Sequence, residues 1–588
     1  MAAAAAILCA STAWAQFEVG PQIRIDVNGG QAAANETGMA SLHNDPDEIV
    51  GVWNDWRDSN PGEIIRMGVA VSSDGGLTWD DFLVRPPQQN QTTVEGDPMT
   101  AYDNRTGTLW VGAISFAGNG GLFVARKRPG QNSFEPSVMA RAVAGADKCW
   151  MDAGPRPGNP NATNLYIAYN QGVLRSEDMG QTWSAPVSLG QGLGFLPRVG
   201  PQGELYVMYW DVSTGMMMRR SFDGGRTFDP PIRVATRLDV WGTQDGSRFP
   251  GTFRAPSLLY LAVDPADGTL YAVYFDTTNI VGGNRNVDLY FTKSENRGTS
   301  WDPPRVINFD NNPPGDQFFP WLEVDLEGNI HMVLLDSKNT IQNDNVQNGM
   351  FDAYYMFSGD GGESWEEARL TPRSWNSNDD GLNRGNSQFI GDYMGLGVGG
   401  NLVYPCYIST QNGDSDIYTN IIEVGGNPVP QACCFNDGSC ENLLRSECTD
   451  RGGRSRFGDT CETFQCPQPG ACCVTNFSCE ILLERDCIAR GGEFMGEGLP
   501  CEDICPCDVI KKLKGKCKGA GTLKGILKFK NDSWDGRVVK MGVGERLRFD
   551  VTVRGKKATL FTCCFAGPQE LKLLDPDGCV SPVIVNCP

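Results

Sequence analysis

SSDGGLTW, residues 72–79, returns four more times in the chain: SEDMGQTW from Ser176, SFDGGRTF from Ser221, SENRGTSW from Ser294 and SGDGGESW from Ser358. The shared frame is Ser-x-Asp-x-Gly-x-Thr-Trp, with Asn296 for the Asp once, Ser300 and Ser364 for the Thr, and Phe228 for the Trp. An Asp two residues before a Gly accepts hydrogen bonds from its own turn, the Gly supplies a positive φ, and the aromatic ring packs back between layers. Each copy therefore reads as a tight turn joining two antiparallel strands. The residues fixing these turns are structural: Asp74 and Trp79, Asp178 and Trp183, Asp223 and Phe228, Asn296 and Trp301, Asp360 and Trp365.

Outward from each turn the same grammar recurs: a strand ending near Gly, an alternating strand, a polar loop, a third strand, the turn and a final strand. FLPRVGPQGELYVMYWD from Phe195, MMMRRSFDGGRTF and PPIRVA make up one such module. Trp79 and Trp183 are too far apart for one module, so GDPMTAYDNRTGTLWVGAISF from Gly96 with LFVARKRPG is read as a module lacking the turn. QFIGDYMGLGVGGNLVYPCYIS from Gln388 with DIYTNIIEV gives three strands, and the N-terminal QIRIDVN, Gln22 to Asn28, can supply the fourth and remove the exposed edges. Four strands per module is one propeller blade.

The repeated phrase resembles the Asp box of the sialidase superfamily. The resemblance covers residues 17–425 and implies an all-β, seven-bladed β-propeller, a six-bladed ring with one irregular module being the alternative. In that family the boxes lie away from the site, which uses the opposite face. Strand alternation puts the second-to-third loops and the blade connectors there. They include Asn54 to Glu63, Asp276 to Val287 and Asp336 to Met350, with the connectors Thr236 to Pro256 and Thr371 to Asp392.

The resemblance implies an exo-alpha-sialidase-type glycoside hydrolase or a relative that binds glycans. VWNDWRDS resembles the segment carrying a sialidase Arg and the acid Asp, making Arg57 and Asp58 candidates. GDYMGLGVGGNLVYPCY resembles the segment carrying the tyrosine nucleophile, Tyr393 here. Asp55, Asp276 and Asp336 close second strands, and with Arg57, Arg248, Arg254, Arg285 and Arg384 they are candidate substrate-binding groups for a hydroxylated, acidic ligand. The Glu partner of Tyr393 is not assigned, and the family's N-terminal Arg-Ile-Pro element is absent: the corresponding segment reads NETGMASLH. A non-enzymatic extracellular adhesion protein using the ring as a platform is the alternative. No cofactor is expected, although FDNNPPGD and NSNDDGLN are oxygen-rich loops of the kind that hold calcium, without EF-hand spacing.

Residues 1–15 end in Ala13-Trp14-Ala15 and read as a signal peptide, and no later stretch is apolar enough for a membrane span. Eighteen of the 21 cysteines lie from Cys433 onward, a density that belongs to an oxidising, secreted or periplasmic setting. After a Pro/Gly linker at 426–431, two copies of a six-cysteine module follow at 432–466 and 470–505, each with 15 possible pairings. Residues 507–588 read as a disulfide-linked β-sandwich carrying about eight more Lys and Arg than Asp and Glu. The net charge of −21 argues against nucleic acid as the partner, and the resemblance implies a glycan, a glycoconjugate or a cell-surface polymer.

Overall fold

The computed structural model describes residues 17–588 except 60–63, 132, 212, 237–254, 257, 282–283, 311–314, 340–349, 383–388, 426–429, 444–446, 449–450, 457–459, 476–477, 491, 502–504 and 520. The expected signal peptide and most of the linker lie outside the described residues. The chain divides into two compact units, Met1–Asn427 and Pro428–Pro588. Among the described residues no helix is long and apolar enough to cross a membrane.

The described strands of the first unit form seven antiparallel sheets. Sheet one is Ala34–Leu42, Asp45–Asp55, Arg66–Ser72 and Asp80–Val84. Sheet two is Glu95–Asp103, Thr108–Ser115, Gly121–Lys127 and Val138–Ala142. Sheet three is Trp150–Arg156, Asn159–Tyr169 and Gly172–Ser176, where Val187 bridges Val173 in place of a fourth strand. Sheet four is Leu193–Val199, Leu205–Asp211, Gly215–Ser221 and Ile232–Ala235. Sheet five is Leu259–Val263, Leu270–Val281, Asn284–Ser294 and Arg305–Val306. Sheet six is Gln317–Val324, Ile330–Asp336, Met350–Ser358 and Glu366–Arg369. Sheet seven is Gly395–Gly399, Leu402–Ser409 and Asp416–Val424, completed by Phe17–Arg24. The completing strand thus begins five residues ahead of the Gln22 expected from sequence.

First strands of successive sheets lie side by side in chain order, and that of sheet seven lies against that of sheet one. Most strands are consequently covered on both faces. Arg66–Ser72 is buried at every position, which explains why its neighbours read as near-continuous apolar runs.

The five turns show why their frame repeats. In the turn of sheet six, Asp360 Oδ1 accepts from Ser364 N at 2.9 Å, Ser358 Oγ accepts from Gly362 N at 2.8 Å, and Trp365 Nε1 donates to Gly362 O at 3.1 Å. Asp74, Asp178 and Asp223 accept from the corresponding Thr amide and hydroxyl. The Asn variant keeps the amide contact at 2.9 Å and donates from Nδ2 to Ser300 Oγ at 2.7 Å, so Asn and Ser reverse the donor without losing the bond.

Each turn also locks its sheet to the one before. Gly362 has φ +85° and a Cβ there would stand 2.4 Å from the Phe291 ring of sheet five. The equivalent glycines approach Met218, Tyr166 and Trp110 of the preceding sheets, and Gly76 of sheet one approaches Tyr404 of sheet seven.

In the second unit both cysteine modules adopt one pairing. First joins fourth, second joins sixth and third joins fifth: Cys433–Cys448, Cys434–Cys466 and Cys440–Cys461, then Cys472–Cys487, Cys473–Cys505 and Cys479–Cys501. The remainder is a seven-stranded sheet in the order Ile510–Lys518, Thr522–Phe529, Lys557–Thr562, Leu547–Arg554, Val538–Val543, Gly567–Asp575, Val583–Cys587. Its last strand packs back on its first, and Cys517–Cys587 ties the two. Gly515 permits this, since a Cβ there would stand 2.2 Å from Val585.

Asp360→Ala removes the turn's acceptor and is expected to cost about 1–2 kcal/mol. Gly362→Ala adds backbone strain and a clash with Phe291 and is expected to cost more, about 2–4 kcal/mol. Urea denaturation of the two variants beside the parent checks the order.

Candidate functional site

The first strands share a second device. Left-handed backbone occurs at Glu36 (φ 54°), Asp97 (φ 51°), Lys148 (φ 47°) and Phe319 (φ 50°), within or just ahead of the first strands of sheets one, two, three and six. The strand register shifts at Asn35/Gly38, Gly96/Met99 and Phe318/Trp321, so three of these residues sit in bulges. Non-glycine residues hold this conformation only where surroundings impose it, and such positions gather at sites.

Here they bring four charges to one point. Lys148 Nζ lies 3.2 Å from Glu36 Oε1, 3.2 Å from Asp97 Oδ1 and 2.6 Å from Asp392 Oδ2. All four side chains are at most 8% exposed. Asn54 Nδ2 donates to Glu36 Oε2 at 2.7 Å, and the Lys148 amide donates to Asp97 Oδ2 at 2.7 Å. A shared cation is what makes three buried carboxylates tolerable together.

Tyr393 adjoins this cluster. Its ring centroid is 5.5 Å from Lys148 Nζ and 5.3 Å from the Trp150 ring, and its buried hydroxyl has no hydrogen-bond partner among the described residues. Burial first, then the charges of Glu36, Asp97, Cys149 and Asp392, hold the phenol well above its ordinary value. Tyr260 of sheet five is a second buried phenol without a partner, raised by burial and by the charges of Asp392 and Glu36.

Tyr393 stands at a cavity of about 400 Å³, lined by the first strands of six sheets. Within it Arg198 pairs with Glu323 at 2.9 Å and stacks over Trp321 at 5.2 Å, while burial pushes the Asp152 carboxyl up to about 6.

Of the residues singled out from sequence, Tyr393 reaches this cavity, and Arg57, Asp55 and Asp58 are not among its lining residues. Arg57 is held by Asp55 and by Asp81, each at 2.6 Å, and Asp55 also accepts from Trp53 Nε1 at 2.8 Å. Asp58 is 42% exposed and lies 3.3 Å from Arg66. Second strands do end at Asp55 and Asp336, as expected. Asp276 is buried opposite Asp288, and its strand runs on to Val281. Asp336 accepts from Lys338 N at 2.7 Å, and burial pushes its carboxyl up to about 7.

Arg248, Arg254 and Arg384 lie outside the described residues, as does the side chain of Arg285. Residues 311–314 of FDNNPPGD and 383 of NSNDDGLN lie outside them too. In the second loop the Asp380 oxygens accept the amides of Leu382 and Phe389. Among the described residues the one group of metal-ligating type is Cys434, Cys440 and Cys466, all engaged in disulfides.

Glu36, Asp97, Lys148 and Asp392 escaped the sequence reading. A signal exists: each precedes a Met by two or three places, at Met39, Met99, Met151 and Met394, where a first strand begins.

No family model matches the sequence, and no curated protein matches it. Solved structures resemble it distantly. A leech intramolecular trans-sialidase is 12% identical, over 67% of this chain and 68% of that one, with a TM-score of 0.34. An alpha-L-arabinanase of Penicillium chrysogenum is 13% identical over 70% and 99%, with a TM-score of 0.37. A Trypanosoma rangeli sialidase is 10% identical over 94% and 89%, with a TM-score of 0.37.

Two stability measurements follow from the buried charges. Lys148→Met removes the cation shared by three carboxylates and is expected to cost about 3–5 kcal/mol in denaturant unfolding. For pH, burial raises Asp26 and Asp336 to about 7 and Asp152 and Asp288 to about 6, so the folded state keeps protons that the unfolded chain releases. Their stabilisation is complete below about pH 4 and is lost as pH rises toward 7. His43, lowered to about 4 by burial, acts in the opposite sense below its ordinary value near 6.5. Four carboxylates outweigh one imidazole, so Tm falls between pH 5 and pH 7.5, and Asp336→Asn flattens the slope in calorimetry.

Proposed function

We propose that the seven sheets are blades of a β-propeller closed by the N-terminal strand, that the five turns are Asp boxes, and that the chain is a secreted, glycan-directed protein. The carrying observation is the meeting of Glu36, Asp97, Asp392 and Lys148 beside Tyr393, whose ring lines the cavity. The Tyr393 hydroxyl, with spare hydrogen-bonding capacity, and the Asp152, Arg198 and Glu323 side chains of the same cavity suit a ligand dense in hydroxyls. Residues 1–15 as a signal peptide and the disulfide-rich second unit support export.

In this reading Tyr393 is the residue a sialidase-type hydrolase would use as nucleophile. Glu36, the first of the acids acting on it, is its candidate partner. Asp58 remains the candidate acid/base, and Arg57, Arg248, Arg254, Arg285 and Arg384 with Asp55, Asp276 and Asp336 are candidates for holding substrate. Binding without turnover is favoured by the ion pairs that already occupy Lys148 and Arg57 and by the raised Tyr393 phenol.

The test is turnover of a fluorogenic sialoside by the full chain, with Tyr393→Phe and Glu36→Gln, beside binding to immobilised sialylated and neutral oligosaccharides. A hydrolase loses at least about 100-fold in kcat in both variants. Binding without turnover, weakened in both variants, identifies a lectin-like ring. A folded parent that neither binds nor turns over any of these sugars overturns the glycan reading.

A further inference from the structure

The C-terminal sheet carries a face of like charges that form no ion pair among the described residues. In Ile510–Lys518 the side chains of Leu513 and Cys517 turn toward the core, leaving Lys512, Lys514, Lys516 and Lys518 exposed on the other face. Thr522–Phe529 and Lys557–Thr562 alternate in the same way, with Leu523, Leu527, Ala558 and Leu560 inward.

The register aligns the outward residues in rows. Lys512 faces Lys528, which faces Lys557; Lys516 faces Lys524, which faces Phe561. Seven lysines thus share one face of three strands, and no Asp or Glu occurs in those strands. None of the seven has an ion pair among the described residues, and Lys514, Lys528 and Lys511 together hold the Lys512 ammonium below its ordinary value.

Like charges directly opposed across strands destabilise a sheet. A solvated face would be satisfied by mixed signs, as on Gly567–Asp575, where Glu570 pairs with Lys572. Cross-strand neighbours lie about 4.8 Å apart and successive outward residues about 7 Å apart, so the face is a lattice of cations roughly 20 Å long. Disulfides Cys507–Cys579 and Cys517–Cys587 hold its frame.

We propose that this lysine face binds a linear acidic polysaccharide, through its sulfate or carboxylate groups. The composition of the face favours that occupant over nucleic acid. All seven cations on this face of the three strands are lysines, point charges, with one arginine, Arg554, opposite Lys557 on the adjoining strand, where phosphate and base recognition draws mainly on the arginine fork. One aromatic, Phe561, is exposed at 63%, with Lys524 Nζ 4.8 Å from its ring centroid, where single-stranded nucleic acid is held on several stacking rings. The role of this face does not rest on the reading of the Tyr393 cavity.

The test measures binding of the full chain to heparin, polygalacturonate, neutral dextran and single-stranded DNA between 50 and 300 mM salt. The expected result is binding to heparin, polygalacturonate or both, weakening steeply with salt, and none to dextran. Lys512→Gln/Lys516→Gln/Lys524→Gln/Lys528→Gln should weaken it at least tenfold, with a thermal midpoint equal to or above that of the parent because repulsion is relieved. A charge-matched control, Lys530→Gln/Lys540→Gln/Lys556→Gln/Lys572→Gln, should retain affinity within about threefold. Equal losses in the two sets, no polysaccharide binding at 50 mM salt, or tighter binding to DNA than to either acidic polysaccharide would each overturn the proposal. Glu36→Gln, at the Tyr393 cavity, leaves the binding unchanged if the two sites are separate.

Discussion

Phe17–Arg24 hydrogen-bonds to Asp416–Val424, so the first described strand of the chain completes a sheet whose other strands come from its far end. Without it the Asp416–Val424 strand would present an open edge, and sheet seven would hold three strands where a neighbour holds four. The joint is reinforced at its end: Arg24 donates to Asp26 at 2.8 Å and reaches Asp416 at 2.7 Å, and the Ile25 amide bonds to Ile417 O. Contacts between sheets that follow one another in the chain can form locally. This pairing, like the contacts of sheet one with sheet seven, needs nearly the whole of the first unit in place, and long-range pairings of that kind form late and slowly.

The remaining sheets are held by contacts that repeat. A turn glycine pressed against a large side chain of the preceding sheet recurs from Trp110 to Phe291, and the same contact between Gly76 and Tyr404 joins sheet one to sheet seven. This is why the frame tolerates Ser for Thr and Asn for Asp, which keep the hydrogen bonds, while the glycine stays in all five copies.

Fold and site differed in how far they could be read. The turns and the four-strand rhythm were legible because turn chemistry acts locally and punctuates the apolar runs, and even the module lacking the turn was found at Glu95–Ala142. The N-terminal strand was placed too late because its pairing partner is some 400 residues away, and its Gln22–Asn28 alternation continues past the register. Tyr393 was singled out by resemblance and lines the cavity. The charged cluster around the tyrosine was not, because Glu36, Asp97, Lys148 and Asp392 come from four separate segments, Glu36 and Asp97 through left-handed bulges and Lys148 through left-handed backbone just ahead of its strand, a feature with only a faint trace in residue order. Which cysteines pair was equally out of reach, since spacing alone admits many solutions and three-dimensional proximity picks one.

That pairing bears on how the cysteine modules would behave under load. The second and sixth cysteines of each module are joined with their Cα atoms 5.4 Å apart, although 32 residues separate them in sequence. A pull applied along the chain passes through these two covalent bridges and bypasses nearly all of the backbone between them. Each module then acts as a rigid link of fixed length, and the only chain free to pay out between the two bridges is the short run from Cys466 to Cys473. Stretching would extend this segment by a few turns' worth of backbone and then stop, which gives the second unit the mechanics of a short inextensible tether.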